Sequence, residues 1–378
     1  MYIEIDTLSS LEEFFSNIQS NQIYNISIQG LDLRPYESAL LSTSLISSFF
    51  LGCQMSVKTI YHLSADGHII FPHVPNLPYK PFRGSLYSAM ELMSGYQKND
   101  HTSFLRNSCD GSIYQHHTQN KHNTQKNVLS SLLERIHDHA IDDALEQILG
   151  KSSRRERAVG IMGGHSCKRN TTTFREIAHL GYKLTNAGYF VVTGGGPGAM
   201  EAGNLGAYMS SYDITSLDDA INILSVADSY THPAWFDTAL EVLETWPSDK
   251  ESLGVPTWFY GHEPSNLFAK YIAKYFANSI REDGILTVCQ GGIIFTPGSA
   301  GTIQEIFQDA CQNHYVSSGT VSPMIFMNTE YWTKEKPVYP LLEKLAHGKE
   351  YSKLLGMYDA TDDIIAHLLK HPAYRTTS

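Results

Sequence analysis

The fold is decided by the stretch Gly292-Ile293-Ile294-Phe295-Thr296-Pro297-Gly298-Ser299-Ala300-Gly301-Thr302-Ile303-Gln304-Glu305, which joins an apolar run to a glycine turn. The run Gly292 to Thr296 predicts a short buried strand, and apolar residues recurring from Ile303 to Ala310 predict a helix with one buried face. At such a junction the first helical N–H groups lack intrahelical partners and the helix dipole is positive. An anion can therefore bind at the turn without a lysine.

A second turn of the same kind lies upstream. The apolar run Tyr189 to Thr193 leads into Gly-Gly-Gly-Pro-Gly-Ala-Met-Glu, which extends from Gly194 to Glu201. Its glycines permit positive φ and close backbone contact, and Pro197 restricts the chain where the next helix begins. Either turn alone is also compatible with tight packing and no ligand. Because loops at the carboxyl ends of parallel strands converge on one crevice, two such turns favour a shared site.

The alternation of strands and helices predicts an α/β fold, with a Rossmann-like, doubly wound, mostly parallel sheet and a smaller N-terminal mixed α/β domain. Residues 1–126 form the N-terminal domain, whose polar, histidine-containing end, residues 97–126, is expected to be a linker or mobile loop. Residues 127–156 provide a bridging helix, and residues 157–378 the Rossmann-like domain with C-terminal helices. Within it we expect a strand at 255–260 and a helix at 267–280.

Composition limits the class of protein. The 378 residues are 42% hydrophobic and 18% charged, which is typical of a soluble globular protein of about two domains. The net charge of -11 argues against a nucleic-acid polymer as partner, while small phosphorylated ligands stay possible. The five cysteines include no CxxC pair, and no leader pattern is evident at the N-terminus, which favours the cytoplasm. No apolar stretch is long enough to span a bilayer, so no membrane partner is expected.

Two side chains are candidates for chemistry at the shared crevice. Cleavage of an N-glycosidic bond passes through an oxocarbenium-like sugar and needs a carboxylate near the anomeric carbon and a water that it can orient. Glu305 lies one helical turn beyond Thr302 and is placed for that role, and Arg281, at the end of the predicted 267–280 helix, can reach the same crevice. The alternatives are a solvated surface acid for Glu305 and a helix C-terminal cation for Arg281. Glu201 either binds ribose hydroxyls together with Asn204 or complements its helix N-terminus.

The two turns resemble the paired GGGxxGxM and PGGxGTxxE motifs of the LOG (Lonely Guy) family, over roughly Arg157 to Asn328. That family consists of nucleoside 5′-monophosphate phosphoribohydrolases with a Rossmann-like fold, and the long chain is more similar to its bacterial nucleotide 5′-monophosphate nucleosidases. The resemblance implies Glu305 and Arg281 as catalytic residues, no metal or other cofactor, and a homodimer or higher homo-oligomer. Two positions depart from the family pattern: Ser299 replaces the second glycine of PGG, and Glu282 stands where the short members have lysine. The residues expected to bind phosphate or the rest of the substrate are Gly194, Gly195, Gly196, Gly198, Glu201, Gly298, Ser299, Ala300, Gly301 and Thr302.

The expected activity is hydrolysis of nucleoside 5′-monophosphates to free base and ribose 5-phosphate. The alternative is a nucleotide-sensing protein that binds the same ligand without turnover. A dinucleotide-dependent oxidoreductase is disfavoured, because the triple glycine follows the second strand of the core and the second turn is then unexplained. Lysine decarboxylation is disfavoured because no lysine stands beside either turn to hold pyridoxal phosphate. The sequence does not identify the base. Residues that could contact it are Trp235, Trp258, Tyr260 and His262, although aromatic residues on or beside a buried strand more often belong to the core.

Overall fold

The computed structural model describes residues 2–19, 22–122, 127–150, 153–259, 263–317 and 319–375. The chain divides into two compact units, of which the first comprises Met1–Ser85 and Asn120–Ala144, and the second Leu86–Gln119 and Leu145–Ser378. This division differs from the predicted domain boundaries. Residues 86–119 belong with the Rossmann-like core, and much of the predicted bridging helix belongs with the N-terminal unit.

The N-terminal unit is a small α/β structure, as predicted. Its four strands form a parallel sheet in the order β1-β2-β3-β4, and their buried residues, such as Ile26, Ile28 and Phe50, form the core of the unit. Thr7 and Ser56 cap the N-termini of two of its helices by accepting backbone N–H bonds. The strands are β1 (Ile3–Ile5), β2 (Ile26–Gln29), β3 (Phe49–Cys53) and β4 (Ile69–Pro72), and the helices are α1 (Leu8–Ser16), α2 (Glu37–Ser42) and α3 (Val57–Ala65).

The second unit contains a seven-stranded parallel sheet in the order β12-β11-β9-β5-β6-β7-β8. Its strands are β5 (Ala158–Met162), β6 (Phe190–Thr193), β7 (Leu253–Gly254), β8 (Tyr271–Ile272), β9 (Gly292–Phe295), β11 (Met324–Met327) and β12 (Leu355–Tyr358). A separate antiparallel pair joins β10 (Thr320–Val321) to β13 (Tyr374–Arg375). The central strand β5 is buried along its whole length, as expected for a parallel sheet covered on both faces.

Helices flank this sheet and make it a Rossmann-like, doubly wound fold, which confirms the predicted fold class. The other α-helices among the described residues are α4 (Ala89–Met93), α5 (His101–Asn107), α6 (Cys109–His122), α7 (Val128–Leu149), α8 (Thr172–Asn186), α9 (Ala199–Met209), α10 (Ile214–Ser225), α11 (Trp235–Thr245), α12 (Asn278–Val288), α13 (Ala300–Tyr315), α14 (Tyr339–Ala346) and α15 (Thr361–Lys370). Helix α8 packs against α9, α10 and α15, whereas α13 packs against α12 and α14.

The strand order places a topological switch at the centre of the sheet. From β5 the chain moves outward on one side through β6, β7 and β8, and it then returns to β9 on the other side of β5. In open parallel sheets the loops after two such neighbouring strands diverge and leave a crevice for a ligand. The predicted glycine turn at Pro297 follows β9 directly, so it lies at this crevice.

Three local predictions are wrong. The expected helix at 267–280 is instead irregular chain that contains the short strand β8, and α12 begins only at Asn278. The expected strand at 255–260 is replaced by β7 at Leu253–Gly254 and an isolated bridge at Thr257. The polar segment 97–126, expected to be a linker, contains the helices α5 and α6.

Among the described residues, no helix combines the length and the apolarity that crossing a membrane requires.

Candidate functional site

Three loops interlock at the carboxyl ends of β5, β6 and β9. The backbone N–H of Ala199 donates to Gly164 O at 3.1 Å, and the N–H of Gly164 donates to Pro297 O at 3.1 Å. Gly198 has a φ of +72°, and a Cβ there would lie 2.6 Å from the carbonyl oxygens of both Gly164 and His165. Glycine is therefore required at Gly198, where both the backbone conformation and the close approach exclude a side chain.

The first glycine turn is held by buried side chains. Thr193 Oγ1 accepts the N–H of Gly195 at 3.0 Å and donates to Asn204 Oδ1 at 2.7 Å. Asn266 Nδ2 donates to Gly196 O at 3.1 Å, and the Asn266 N–H donates to Gly195 O at 2.9 Å. Asn204, predicted as a possible ribose ligand, is instead fully buried beneath the turn and supports it.

The second glycine turn leads straight into α13. A Cβ on Gly298 would lie 2.1 Å from Thr302 Oγ1, so the hydroxyl group of Thr302 packs against this glycine. The first intrahelical bond near the turn runs from the N–H of Ile303 to Ser299 O at 3.0 Å, which leaves the preceding N–H groups without intrahelical acceptors. Ser299, Ala300 and Gly301 are exposed, so an anion can approach these groups.

The two predicted catalytic residues meet beside these turns. Arg281 lies in the first turn of α12, not at the end of a preceding helix, and its Nη1 is 3.6 Å from Glu305 Oε1 on α13. Its Nε donates to Val255 O at 2.8 Å, which orients the guanidinium group. A Cβ on Gly194 would lie 2.6 Å from Arg281 Nη2, so the same group packs against the first glycine turn. The alternative of a helix C-terminal cation is therefore wrong.

Glu305 lies in a strongly desolvated position. The residue is only 9% exposed, so it is not a solvated surface acid. Burial raises the pKa of the Glu305 carboxyl group, Arg281 opposes that shift, and Glu282 adds to it. Glu282, one of the departures from the family pattern, accepts a hydrogen bond from Gln304 Nε2 at 2.8 Å. The site thus combines a buried acid of raised pKa with a guanidinium group that favours its ionised form.

A second carboxyl group lies one turn further along α13. Asp309 is only 3% exposed, and one of its oxygens accepts a hydrogen bond from Asn313 Nδ2 at 3.2 Å. Burial raises the pKa of Asp309 well above its ordinary value, which favours the neutral acid. Sequence reasoning missed this residue, although its spacing from Glu305 places both carboxyl groups on one face of the helix.

Of the two roles predicted for Glu201, the structure fits the one at the helix N-terminus, because Glu201 lies in the first turn of α9. Its carboxylate is buried and pairs with Arg169, whose Nε lies 3.0 Å from Glu201 Oε2. The guanidinium group also donates to Thr238 Oγ1 at 2.9 Å and to Trp235 O at 3.1 Å. Glu201 therefore anchors the start of α9 to its surroundings and does not present its carboxylate to a ribose.

The aromatic candidates for contact with the base are buried elsewhere. Trp235 lies under the guanidinium group of Arg169, with 4.7 Å between the Arg169 Cζ atom and the ring centroid. Trp258 donates from Nε1 to Asp110 Oδ1 at 2.9 Å, and Asp110 forms a fully buried ion pair with Lys274 at 2.8 Å. Lys274 is thus a core residue. The other two candidates, Tyr260 and His262, lie outside the described residues.

The arrangement places a carboxyl group and a guanidinium group side by side, next to the two glycine turns and on the helix whose N-terminus can receive an anion. Across the described ranges, no set of three or more His, Cys, Asp or Glu side chains is placed to hold a metal ion. The groups present suit acid–base and electrostatic chemistry.

No protein-family model matches the chain, and no curated protein matches it. Solved structures that resemble part of it include the molybdenum cofactor binding protein from the phototrophic bacterium Rippkaea orientalis, at 14% identity and a TM-score of 0.34. That match covers 56% of this chain and 94% of the other. Two structures of the molybdenum cofactor carrier protein from Chlamydomonas reinhardtii match at 12% and 14% identity, with TM-scores of 0.33 and 0.34. They cover 56% of this chain and 96% and 95% of their own. This is a distant likeness of fold.

Proposed function

We propose that this chain hydrolyses the N-glycosidic bond of nucleoside 5′-monophosphates to yield free base and ribose 5-phosphate. The observation that carries the proposal is the pair Arg281–Glu305, with 3.6 Å between Nη1 and Oε1, beside both glycine turns. The resemblance of the two turns to the LOG motifs supports the same reaction. An anion site beside a buried carboxyl group is compatible with a phosphorylated sugar as the substrate.

In the proposed mechanism, the N-terminus of α13 binds the phosphate and Glu305 acts on the ribose. The 5′-phosphate would bind the free N–H groups at Ser299 to Thr302, where the dipole of α13 favours negative charge. Glu305 would stabilise the positive charge that develops on the ribose ring and orient the attacking water. Water adds to the anomeric carbon as the C–N bond breaks, and its proton passes to the departing base.

Arg281 would keep Glu305 ionised as well as anchor the substrate. A desolvated carboxyl group tends to hold its proton near neutral pH, and a protonated Glu305 cannot stabilise an oxocarbenium ion electrostatically. The guanidinium group opposes that tendency, and its bond to Val255 O fixes its orientation. The pair therefore acts as a unit in the proposal.

The experiment is a panel of purine and pyrimidine 5′-monophosphates, with the matching nucleosides as controls, and chromatography of base and ribose 5-phosphate. We expect equal amounts of the two products from at least one monophosphate and none from its nucleoside. Binding of monophosphates by calorimetry without any product would favour the nucleotide-sensing alternative and contradict the proposal.

The proposal also includes the compartment and the oligomeric state of the enzyme. The described cysteines form no disulfide, which supports a reducing compartment such as the cytoplasm. The homodimer or larger homo-oligomer implied by the resemblance can be tested by light scattering of the purified protein.

A further inference from the structure

The N-terminal unit has a cavity of its own, separate from the proposed hydrolase site. Its volume is about 330 Å³, and it is lined by Gly30, which follows β2, by Gln54, which follows β3, and by Pro72, at the end of β4. The cavity therefore lies at the carboxyl ends of a parallel sheet, where open α/β sheets bind ligands. Its volume is within the range of small-molecule pockets.

The segment after β4, which includes Phe82, packs against the carboxyl ends of β2 and β3. A Cβ on Gly52 would lie 2.5 Å from the ring of Phe82, and a Cβ on Gly30 would lie 2.8 Å from Phe82 O. Both glycines have positive φ, +65° for Gly52 and +64° for Gly30. Phe82 is thus held in place at the strand ends by Gly30 and Gly52. Where it contacts them, closely packed backbone forms the boundary of the cavity.

The walls of the cavity are largely apolar and include two aromatic rings. Tyr79 and Phe82 line it together with Val74, Leu77 and Leu133. Tyr79 is only 6% exposed, and its ring lies edge-to-face with His137 at 5.5 Å between centroids, which limits its movement. Aromatic side chains held in this way favour contact with a planar ring.

The charged residues of the cavity favour an anionic group. Asp32 is already paired with Arg34, whose Nε lies 2.8 Å from Asp32 Oδ1 and whose Nη2 lies 2.6 Å from Oδ2. Lys80 also lines the cavity and adds a positive charge, and His73 is another of its lining residues. A ligand anion would therefore be attracted by Lys80. The negative charge of Asp32 would repel it little, because Arg34 already pairs with that carboxylate.

We propose that this cavity binds a small planar aromatic anion of about bicyclic size, with its rings against Tyr79 and Phe82 and its negative group toward Lys80. The site lies wholly within the N-terminal unit and does not depend on the proposed hydrolase activity.

The test uses the full chain and two fluorescent probes, 1-anilinonaphthalene-8-sulfonate and its neutral counterpart N-phenyl-1-naphthylamine. Val74→Trp fills the cavity, Lys80→Met removes its charge, and Lys58→Met on the exposed face of α3 is the matched control. We expect Val74→Trp to bind one fewer equivalent of either probe. We expect Lys80→Met to bind the sulfonate roughly two- to fivefold more weakly at low salt, and the neutral probe unchanged.

Probe molecules bound elsewhere on the chain do not affect the comparison, because each variant is measured against the wild type. An unchanged number of bound probes in Val74→Trp, or equal sulfonate affinities for Lys80→Met and Lys58→Met, overturns the proposal. If Val74→Trp fails to fold, the two lysine variants, both at exposed positions, decide the matter alone.

Discussion

Arg281 and Glu305 form an ion pair, 3.6 Å from Nη1 to Oε1, between the helices that precede and follow β9. Arg281 packs against Gly194 of the first glycine turn, and Glu305 lies one helical turn beyond Thr302 of the second. The pair therefore links the two turns at the switch point of the sheet. A change at either residue should affect the chemistry of the whole crevice.

Arg281→Met should move the acid limb of the rate profile to higher pH. Burial raises the pKa of Glu305 and Arg281 opposes that shift, so removal of the guanidinium group raises the pKa further. The proposed mechanism requires ionised Glu305. In the variant, acidification should therefore abolish activity at a higher pH than it does in wild type. Measurement of kcat/KM across pH tests this, with Arg281→Lys, which keeps the charge, as the control. An acid limb at the same pH in Arg281→Met and wild type would contradict the pairing.

Gly298→Ala should damage the second turn. The added Cβ would lie 2.1 Å from Thr302 Oγ1, so the hydroxyl group must move and the phosphate site with it. We expect KM for the monophosphate to rise about tenfold or more, since roughly 1.4 kcal/mol of binding corresponds to a factor of ten. Gly284→Ala is the matched control, because a Cβ there has no neighbour within 4 Å. Equal KM values in the two variants would show that Gly298 does not shape the site.

Glu201→Gln should destabilise the fold. Its carboxylate forms a buried pair with Arg169, and loss of one partner leaves the other charge buried and uncompensated. The expected cost is about 3–5 kcal/mol in the free energy of unfolding. Urea denaturation measures it, with Glu241→Gln at an exposed position of α11 as the control. If the variant has unchanged stability and a raised KM, Glu201 binds the ribose of the substrate and the structural role is wrong.

Asp309→Asn should remove a pH dependence of stability. The folded protein holds the Asp309 proton more tightly than the unfolded chain does, because burial raises its pKa well above the ordinary value of 3.8. The contribution of Asp309 to the free energy of unfolding is therefore fully present below the ordinary carboxyl pKa. It is lost as the pH rises toward the raised pKa, by up to about 1.4 kcal/mol per pH unit. The variant should therefore gain stability relative to wild type as the pH rises from below the ordinary carboxyl pKa to neutrality. A constant difference across that range would mean that Asp309 is not held neutral.

Local patterns in the sequence were sufficient to predict the strand, turn and helix around Pro297. The apolar run, the glycines and the apolar face of α13 are all contiguous, and the parallel sheet then brings the two turns together. The helix that carries Arg281 was misplaced because residues 267–276 are almost all buried. Apolar residues on every side of a segment do not distinguish a strand from a helix.

Buried charged pairs were not predictable in the same way. Arg169 and Glu201 are 32 positions apart, and Lys274 and Asp110 are 164 positions apart. A polar residue is expected at the surface unless its partner is known, and nothing local indicates a partner at that distance. The same reason explains why α6, which carries Asp110, was expected to be a linker.

The most direct test of the central claim is a comparison of wild type, Glu305→Gln and Glu343→Gln with a monophosphate substrate, combining product chromatography with calorimetric binding. Glu343 is exposed on α14, so its variant controls for the loss of a carboxylate. We predict that Glu305→Gln still binds the monophosphate but releases base and ribose 5-phosphate at least about 100-fold more slowly, whereas Glu343→Gln behaves as wild type. Release at the wild-type rate by Glu305→Gln, or no release by any of the three proteins, would contradict it.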